Sequence, residues 1–276
     1  MPRKGHSVLR QRVITGACLA ALTVWAVLGL PTAYLGVVFL LVVGAAAWEW
    51  GALLALGVGG RSMYLSLVLL LIGIAWWLRE QPVLLWGLLL IGGGYWCYVV
   101  VWLKRYTARP GRRDPWSVWA AAGIPLLVNT WFALVFLHGA QQFGPGYVLF
   151  LLALVWLADS AAYFAGRRWG RHKLAPGISP GKTREGALGA LLLALVFSLL
   201  GAWLLGFQPW PVFVLVSMGA SVFSIIGDLF ESMAKRQHGI KDSGSILPGH
   251  GGVLDRIDSL TAAAPMFLLG LLVLSL

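Results

Sequence analysis

Apolar residues dominate this chain in runs long enough to cross a bilayer, separated by short polar punctuation. A span needs about 20 mainly apolar residues, because ~30 Å of hydrocarbon is covered at ~1.5 Å per helical residue. Runs of that kind lie near 13–30, 33–50, 63–78, 83–103, 118–137, 147–164, 187–207, 212–230 and 259–276. Only Leu30-Pro31-Thr32 separates the first two, and Gly57-Val58-Gly59-Gly60 interrupts the chain before the third. The pattern predicts an all-α polytopic membrane protein with about nine transmembrane helices.

Composition agrees: 59% of the 276 residues are hydrophobic, 11% are charged and mean hydropathy is +0.82, against about 25% charged residues in soluble domains. The formal charge of +11 would ordinarily raise the question of nucleic acid. Its distribution answers differently, since Lys and Arg collect in cytoplasmic loops. With the N-terminus in the cytoplasm and the C-terminus outside, all but one of the 21 basic residues fall on the inner side, Arg79 being the exception. The charge is topology plus whatever anion the inner face handles, and no nucleic-acid partner is needed.

MPRKGHSVLRQR before an apolar run resembles a secretory signal, but no small-x-small cleavage site follows and an uncleaved first span is expected. Cys18 and Cys97 fall inside apolar runs and suggest neither a disulfide nor a metal site. Most of the 15 tryptophans lie near the ends of runs, where an interfacial belt would put them.

The ten acidic residues are placed unevenly. Glu49, Glu80 and Asp114 are scattered through the first half, whereas Asp159, Glu185, Asp228, Glu231, Asp242, Asp255 and Asp258 occupy one hundred residues near the end. This divides the chain into an N-terminal scaffold of about five helices (1–145) and a C-terminal catalytic region of about four helices with two cytoplasmic loops (146–276). The chemistry is expected in the second, at the cytoplasmic membrane boundary.

The first polar cluster, DSAAYFAGRRWGRHKLAPGISPGKTREG, opens at Asp159, an ionisable residue inside a span and therefore expected to face a polar cavity or partner. PGKT suggests a P-loop, but Pro176 stands where that motif requires glycine and no strand is expected before it, so that reading fails. Ser179 followed by Pro180 reads as a helix N-cap with proline at the first helical position, presenting free N–H groups beside Lys182 and Thr183 as a phosphate-binding corner. An ordinary cytoplasmic loop, basic only by the positive-inside rule, is the competing explanation of this segment.

The second cluster, GDLFESMAKRQHGIKDSGSILPGHGGVLDRID, places Asp228, Glu231, Ser232 and Lys235 on one helical face, and Asp255 and Asp258 repeat the i, i+3 spacing. Four carboxylates converging at an apolar boundary repel one another unless a cation lies between them, and oxygen donors without cysteine favour a hard ion such as Mg²⁺ over zinc. Gly251 and Gly252 let backbone approach a ligand closely. Lys235, Arg236, Lys241 and Arg256 supply positive charge for a polyphosphate.

The run SMAKRQHGIKDSGSILPGHGGVLDRID resembles the signature of the phosphatidate cytidylyltransferases, or CDP-diacylglycerol synthases: KR, four residues, KD, then PxHGG and DRxD. DSAAYFAGRRWG and ISPGKTREG match the same pattern, so the specific resemblance covers about residues 159–258. Two positions depart from it, Arg184 for an aromatic residue and Ala234 for a bulkier aliphatic. The resemblance implies transfer of a cytidylyl group from CTP to phosphatidate, giving CDP-diacylglycerol and pyrophosphate, by an enzyme of the cell (inner) membrane whose active site faces the cytoplasm. It implies Mg²⁺, with room for a second cation, on Asp228, Asp255 and Asp258. Phosphate contacts fall to Ser179, Lys182, Thr183, Lys235, Arg236 and Lys241, with Lys182 and Lys241 also catalytic. His250, Gly251, Gly252 and Arg256 complete the substrate site, and Asp159, Glu185 and Glu231 support it. CTP, phosphatidate and membrane lipids are the expected partners, and a homodimer is one assembly open to such a chain. Two alternatives differ in signature. A CTP-dependent polyprenol kinase would phosphorylate an alcohol and need a base to do so, and a transporter would carry midplane charges and related halves.

Overall fold

The computed structural model describes residues 3–108, 113–244 and 251–274. The elements in order are α1 (Arg3–Gly29), α2 (Thr32–Leu53), α3 (Val58–Leu78), α4 (Pro82–Ala108), α5 (Trp116–His138), α6 (Gly144–Trp169), the strands β1 (Lys173–Ala175) and β2 (Ser179–Thr183), α7 (Arg184–Leu205), α8 (Trp210–Gln237) and α9 (Leu254–Leu274). Among the described residues eight helices, α2 to α9, are long and apolar enough to cross a membrane, and the described apolar part of α1 runs Gly16–Gly29. The helical ladder suits this setting because every backbone group bonds within its own segment. Prolines and glycines mark the ends: Pro31, Pro115 and Pro209 stand at the N-caps of α2, α5 and α8, and Gly206 closes α7 in the left-handed conformation at φ +62°.

Helix α5 is the most enclosed of the bundle and shows how the scaffold is held. Its Pro125 has no N–H to give the preceding turn. Carbonyls of that turn accept side-chain donors from three other helices: Trp50 Nε1 to Trp119 O at 3.0 Å, Tyr64 Oη to Ala120 O at 3.0 Å and Tyr95 Oη to Ala122 O at 2.9 Å. Gly123 makes the approach feasible, because a β-carbon there would overlap both the Trp50 indole and the Tyr64 hydroxyl. In lipid, where water cannot serve as partner, such bonds and close packing hold helices together.

Five rings, those of Trp50, Tyr95, Trp96, Trp102 and Trp119, surround Phe230 of α8 with centroids 5.5–6.3 Å from its own. Trp50, Trp96, Trp102 and Trp119 are buried, so for these four the expected interfacial belt is replaced by an interior aromatic cluster. The reason is local: each turns its ring toward α8, whose Phe230 fills the space between them. Asp228 and Glu231 flank Phe230 in sequence, so the cluster also fixes the acid-bearing face of α8.

Candidate active site

The connection from α6 to α7 is a β-hairpin, which revises the expected helix start at Ser179. Lys173 pairs with Thr183 and Ala175 with Ser179 in antiparallel register, and Ile178 N donates to Ala175 O at 3.1 Å across the Pro176-Gly177 turn. Proline and glycine suit the middle of such a turn, and Pro180 is tolerated in β2 because both strands of a lone hairpin are edges. The helix begins only at Arg184, capped by Thr183, whose Oγ1 accepts from Gly186 N at 3.1 Å. The segment expected to be a phosphate-binding corner is therefore a strand carrying Lys182, and it runs antiparallel to its neighbour, unlike that of a P-loop.

Close helix packing holds the hairpin in place. A β-carbon on Gly186 would come within 2.7 Å of Ala162 O, and one on Gly189 would overlap Ala165, so α7 lies directly against α6. Glu185 ties the turn after α6, accepting from Arg171 N at 3.1 Å, from His172 N at 3.2 Å and lying 2.6 Å from His172 Nδ1. Arg236 Nε donates to Ile178 O at 3.3 Å and anchors the hairpin turn to α8.

Between these elements lies a cavity of about 530 Å³ lined by α6, the hairpin and the facing parts of α7, α8 and α9, within the ~300–1,000 Å³ common for small-molecule sites. It brings together Asp159, Ser179, Lys182, Thr183, Asp228, Asp255 and Asp258 from the expected set, and adds Arg167, Tyr163 and Gly181. Arg167 Nη1 donates to Tyr163 Oη at 3.0 Å. Lys182 reaches across from β2 and forms an ion pair with Asp228, which also accepts from Ser232 Oγ at 3.3 Å. Asp258 lies close enough to Asp228, Glu231 and Asp159 for their charges to act on it. A somewhat smaller apolar groove of about 480 Å³ is lined by α3, α4 and α5 and holds none of these groups.

Lys235 lies outside the cavity, and Asp255, which lines it, is bonded to Lys235 and to backbone N–H groups. The Lys235 ammonium bonds Glu231 Oε2 at 2.5 Å and Asp255 Oδ1 at 2.6 Å. Asp255 Oδ2 also accepts from Gly252 N at 2.9 Å and Ser243 N at 3.1 Å. Lys235 does not line the cavity; its charge is spent between two carboxylates. Lys241 and Arg256 are exposed near this network, Gly251 sits at φ +80° and Gly252 is buried against Ser243, and His250 lies outside the described residues.

Among the described residues no group of three or more His, Cys, Asp or Glu side chains is close enough to hold a metal ion as it stands. The donor chemistry nonetheless fits one. Asp159, Asp228 and Asp258 face one cavity with Lys182 as the paired cation, and the second oxygen of buried Glu231, Oε1, has no hydrogen-bond partner among the described residues. This is an excess of oxygen acceptors over donors. Mg²⁺ is commonly held by one or two carboxylates, with waters and substrate phosphates completing the shell, and Asp228 with Asp258 would supply that pair.

Sequence reasoning missed Glu49. It belongs to α2, in the half expected to be scaffold, yet its carboxylate is buried, at 2% exposure, and accepts from Val253 N at 3.1 Å, Leu254 N at 2.8 Å and Ser243 Oγ at 3.3 Å. A lone acid near the end of an apolar run was the available signal, since an unpaired carboxylate there is costly.

A bundle of helices long and apolar enough to span a membrane, with one cavity that gathers Lys182, Arg167 and several carboxylates, defines a polytopic membrane protein with a charged site at the helix ends. A profile of the Cytidylyltransferase family matches residues 10–274. The chain is 38% identical to the phosphatidate cytidylyltransferase of Pseudomonas aeruginosa over 281 residues, covering 94% of this chain and 96% of that protein. It is also 38% identical to that of Brucella suis over 270 residues, 95% and 93% of the two chains. A shorter stretch of 125 residues, 44% of this chain and 43% of the relative, is 50% identical to the phosphatidate cytidylyltransferase of Haemophilus influenzae. The chain belongs to the cytidylyltransferase family.

Proposed function

We propose that the protein transfers the cytidylyl group of CTP to phosphatidate, forming CDP-diacylglycerol and releasing pyrophosphate, at the cytoplasmic face of the cell membrane. The observation that carries this reading is the convergence of Lys182 with Asp159, Asp228 and Asp258 in one cavity at the end of a membrane bundle. Such a site can meet a soluble nucleotide and a lipid phosphate together. Family membership and the two relatives matched over nearly their whole length support the same substrates. The cytoplasmic placement rests on the distribution of Lys and Arg.

In the reaction a phosphate oxygen of phosphatidate attacks the α-phosphorus of CTP. A new P–O bond forms, the bond to the bridging oxygen of the β-phosphate breaks, and pyrophosphate leaves with the electron pair. The lipid phosphate loses its second proton at a pH of about 6, so it arrives as a nucleophile and needs no side-chain base. The residues of this chain then have two tasks, alignment and compensation of charge. Lys182, carried on a rigid hairpin, offers its ammonium to phosphate oxygens when Asp228 is otherwise engaged. Arg167, on α6, offers a second cation at the cavity wall. Ser179 and Thr183 flank Lys182, with Thr183 holding the strand-to-helix corner. A divalent cation, for which Asp228 and Asp258 provide oxygen ligands, would supply neutralisation of the triphosphate charge.

Purified protein in detergent, given phosphatidate and CTP labelled in the α-phosphate, is expected to yield labelled CDP-diacylglycerol with one pyrophosphate per product. Phosphorylation of an added polyprenol with release of CDP, and no lipid-linked cytidylyl product, would refute the assignment.

A further inference from the structure

Glu49 lies outside the cavity and touches none of its lining carboxylates, yet it is the point at which the first half of the chain grips the connection between α8 and α9. Glu49 meets this connection on both sides, just after α8 and just before α9. On the departing side Ser243 Oγ donates to Oε2 at 3.3 Å; on the returning side Val253 N donates to Oε1 at 3.1 Å and Leu254 N to Oε2 at 2.8 Å. The backbone is shaped to admit the carboxylate. A β-carbon on Gly244 would overlap Glu49, and one on Gly252 would overlap Ser243 and come within 2.6 Å of Glu49 Oε2.

From this grip a chain of contacts leads to the cavity. Ser243 N and Gly252 N donate to Asp255, Asp255 binds Lys235, and Lys235 binds Glu231. Asp258 follows Leu254 by one helical turn, so the direction in which α9 starts decides how Asp258 stands to Asp228. The hairpin with Lys182 is held by α6, α7 and Arg236, and among the described residues none of the hydrogen bonds of Glu49 goes to it.

We propose that Glu49 is a positioning residue for cytidylyl transfer: it sets the start of α9, and with it the distance between Asp258 and Asp228, by clamping both ends of the α8–α9 connection. The assignment rests on the proposed reaction. A carboxylate is required because both oxygens accept: an amide that kept its oxygen on Ser243 Oγ and Leu254 N would turn its own N–H donors toward Val253 N.

The test compares wild type with Glu49→Gln, Glu49→Asp and Ser243→Ala in detergent with phosphatidate, by amide hydrogen exchange and by kinetics with Mg²⁺ titration. Glu49→Gln is expected to speed exchange at Val253 and Leu254 and to lower kcat about tenfold or more. The half-saturating Mg²⁺ concentration is expected to rise, with KM for phosphatidate within about twofold of wild type because the hairpin is untouched. Glu49→Asp should recover part of the loss. Ser243→Ala, which removes one of the three bonds, should give a smaller change of the same kind and serves if Glu49→Gln does not fold. Unchanged exchange at Val253 and Leu254 overturns the clamp. Faster exchange with unchanged kcat and Mg²⁺ dependence, or a loss accounted for wholly by a smaller folded fraction, overturns the positioning role. A wild-type protein that makes no CDP-diacylglycerol refutes the proposed reaction, whereas an active wild type with an indifferent Glu49→Gln refutes only the role of Glu49.

Discussion

Replacing Lys182 by alanine separates its two roles, because they move different observables in opposite senses. The ammonium pairs with Asp228, both side chains being 26% exposed, and it faces the same cavity as Asp159 and Asp258. As a phosphate ligand it contributes a charge-assisted hydrogen bond worth about 1.5–3 kcal/mol, so kcat/KM for CTP should fall by roughly ten- to hundredfold. As the partner of Asp228 it offsets acidic charge. Two unit charges in contact interact by about 4 kcal/mol at an effective dielectric of ~20, but exposure on this scale screens the pair toward ~1 kcal/mol. Losing it should let the acidic pair take up a divalent cation a few-fold more readily. The assay is CDP-diacylglycerol formation in mixed micelles over a matrix of CTP and Mg²⁺ concentrations, with cation binding followed separately in the absence of CTP. Lower kcat/KM together with a lower Mg²⁺ half-saturation is the expected result. A variant within twofold of wild type in kcat/KM, or one that needs more Mg²⁺, refutes the reasoning and leaves Lys182 as a loop cation of the positive-inside kind.

Asp258→Asn keeps side-chain size while deleting one ligand charge, so the protein should fold normally and turn over at least about a hundredfold more slowly, with excess Mg²⁺ restoring only part; normal turnover with unshifted Mg²⁺ dependence would place the metal elsewhere. Phe230→Ala empties the centre of five packed rings and should cost about 3–5 kcal/mol of stability, read as a lower unfolding temperature in detergent; an unchanged temperature would show that the neighbouring rings close the gap. In a background without Cys18 and Cys97, a cysteine at exposed Gln141 should label from outside intact cells and one at exposed Asp242 only after permeabilisation, and the reverse pattern would overturn the cytoplasmic placement.

The helices were legible because their apolar runs are long and unbroken, and the i, i+3, i+4, i+7 face of Asp228, Glu231, Ser232 and Lys235 follows from helical geometry alone. The hairpin was not. Ser179-Pro180 is as good a helix N-cap as any, and only the pairing of residues 179–183 with 173–175 selects the strand, a contact that no local pattern encodes. The division of labour between Asp255 and Asp258 was hidden for a related reason: equal spacing puts both on one face, but Lys235 and the N–H groups of Ser243 and Gly252 reach only the first. Glu49 was invisible as a site residue because its partners lie some two hundred positions away and two of the three are backbone groups, which carry no identity in a sequence.

The side-chain donors that meet the carbonyls of α5 come from α2, α3 and α4, all made before it. Four of the tryptophan and tyrosine rings that enclose Phe230 belong to α2 and α4, and the fifth to α5 itself. A ribosome delivering this chain from its N-terminus thus releases a complete aromatic socket while α8 is still unmade. When α8 enters the membrane it is a plug seated by one phenylalanine, and that single insertion carries Asp228 and Glu231 to their depth. Asp258 arrives only with α9, the last helix, so the acidic pair is complete only after the aromatic socket has been made and filled.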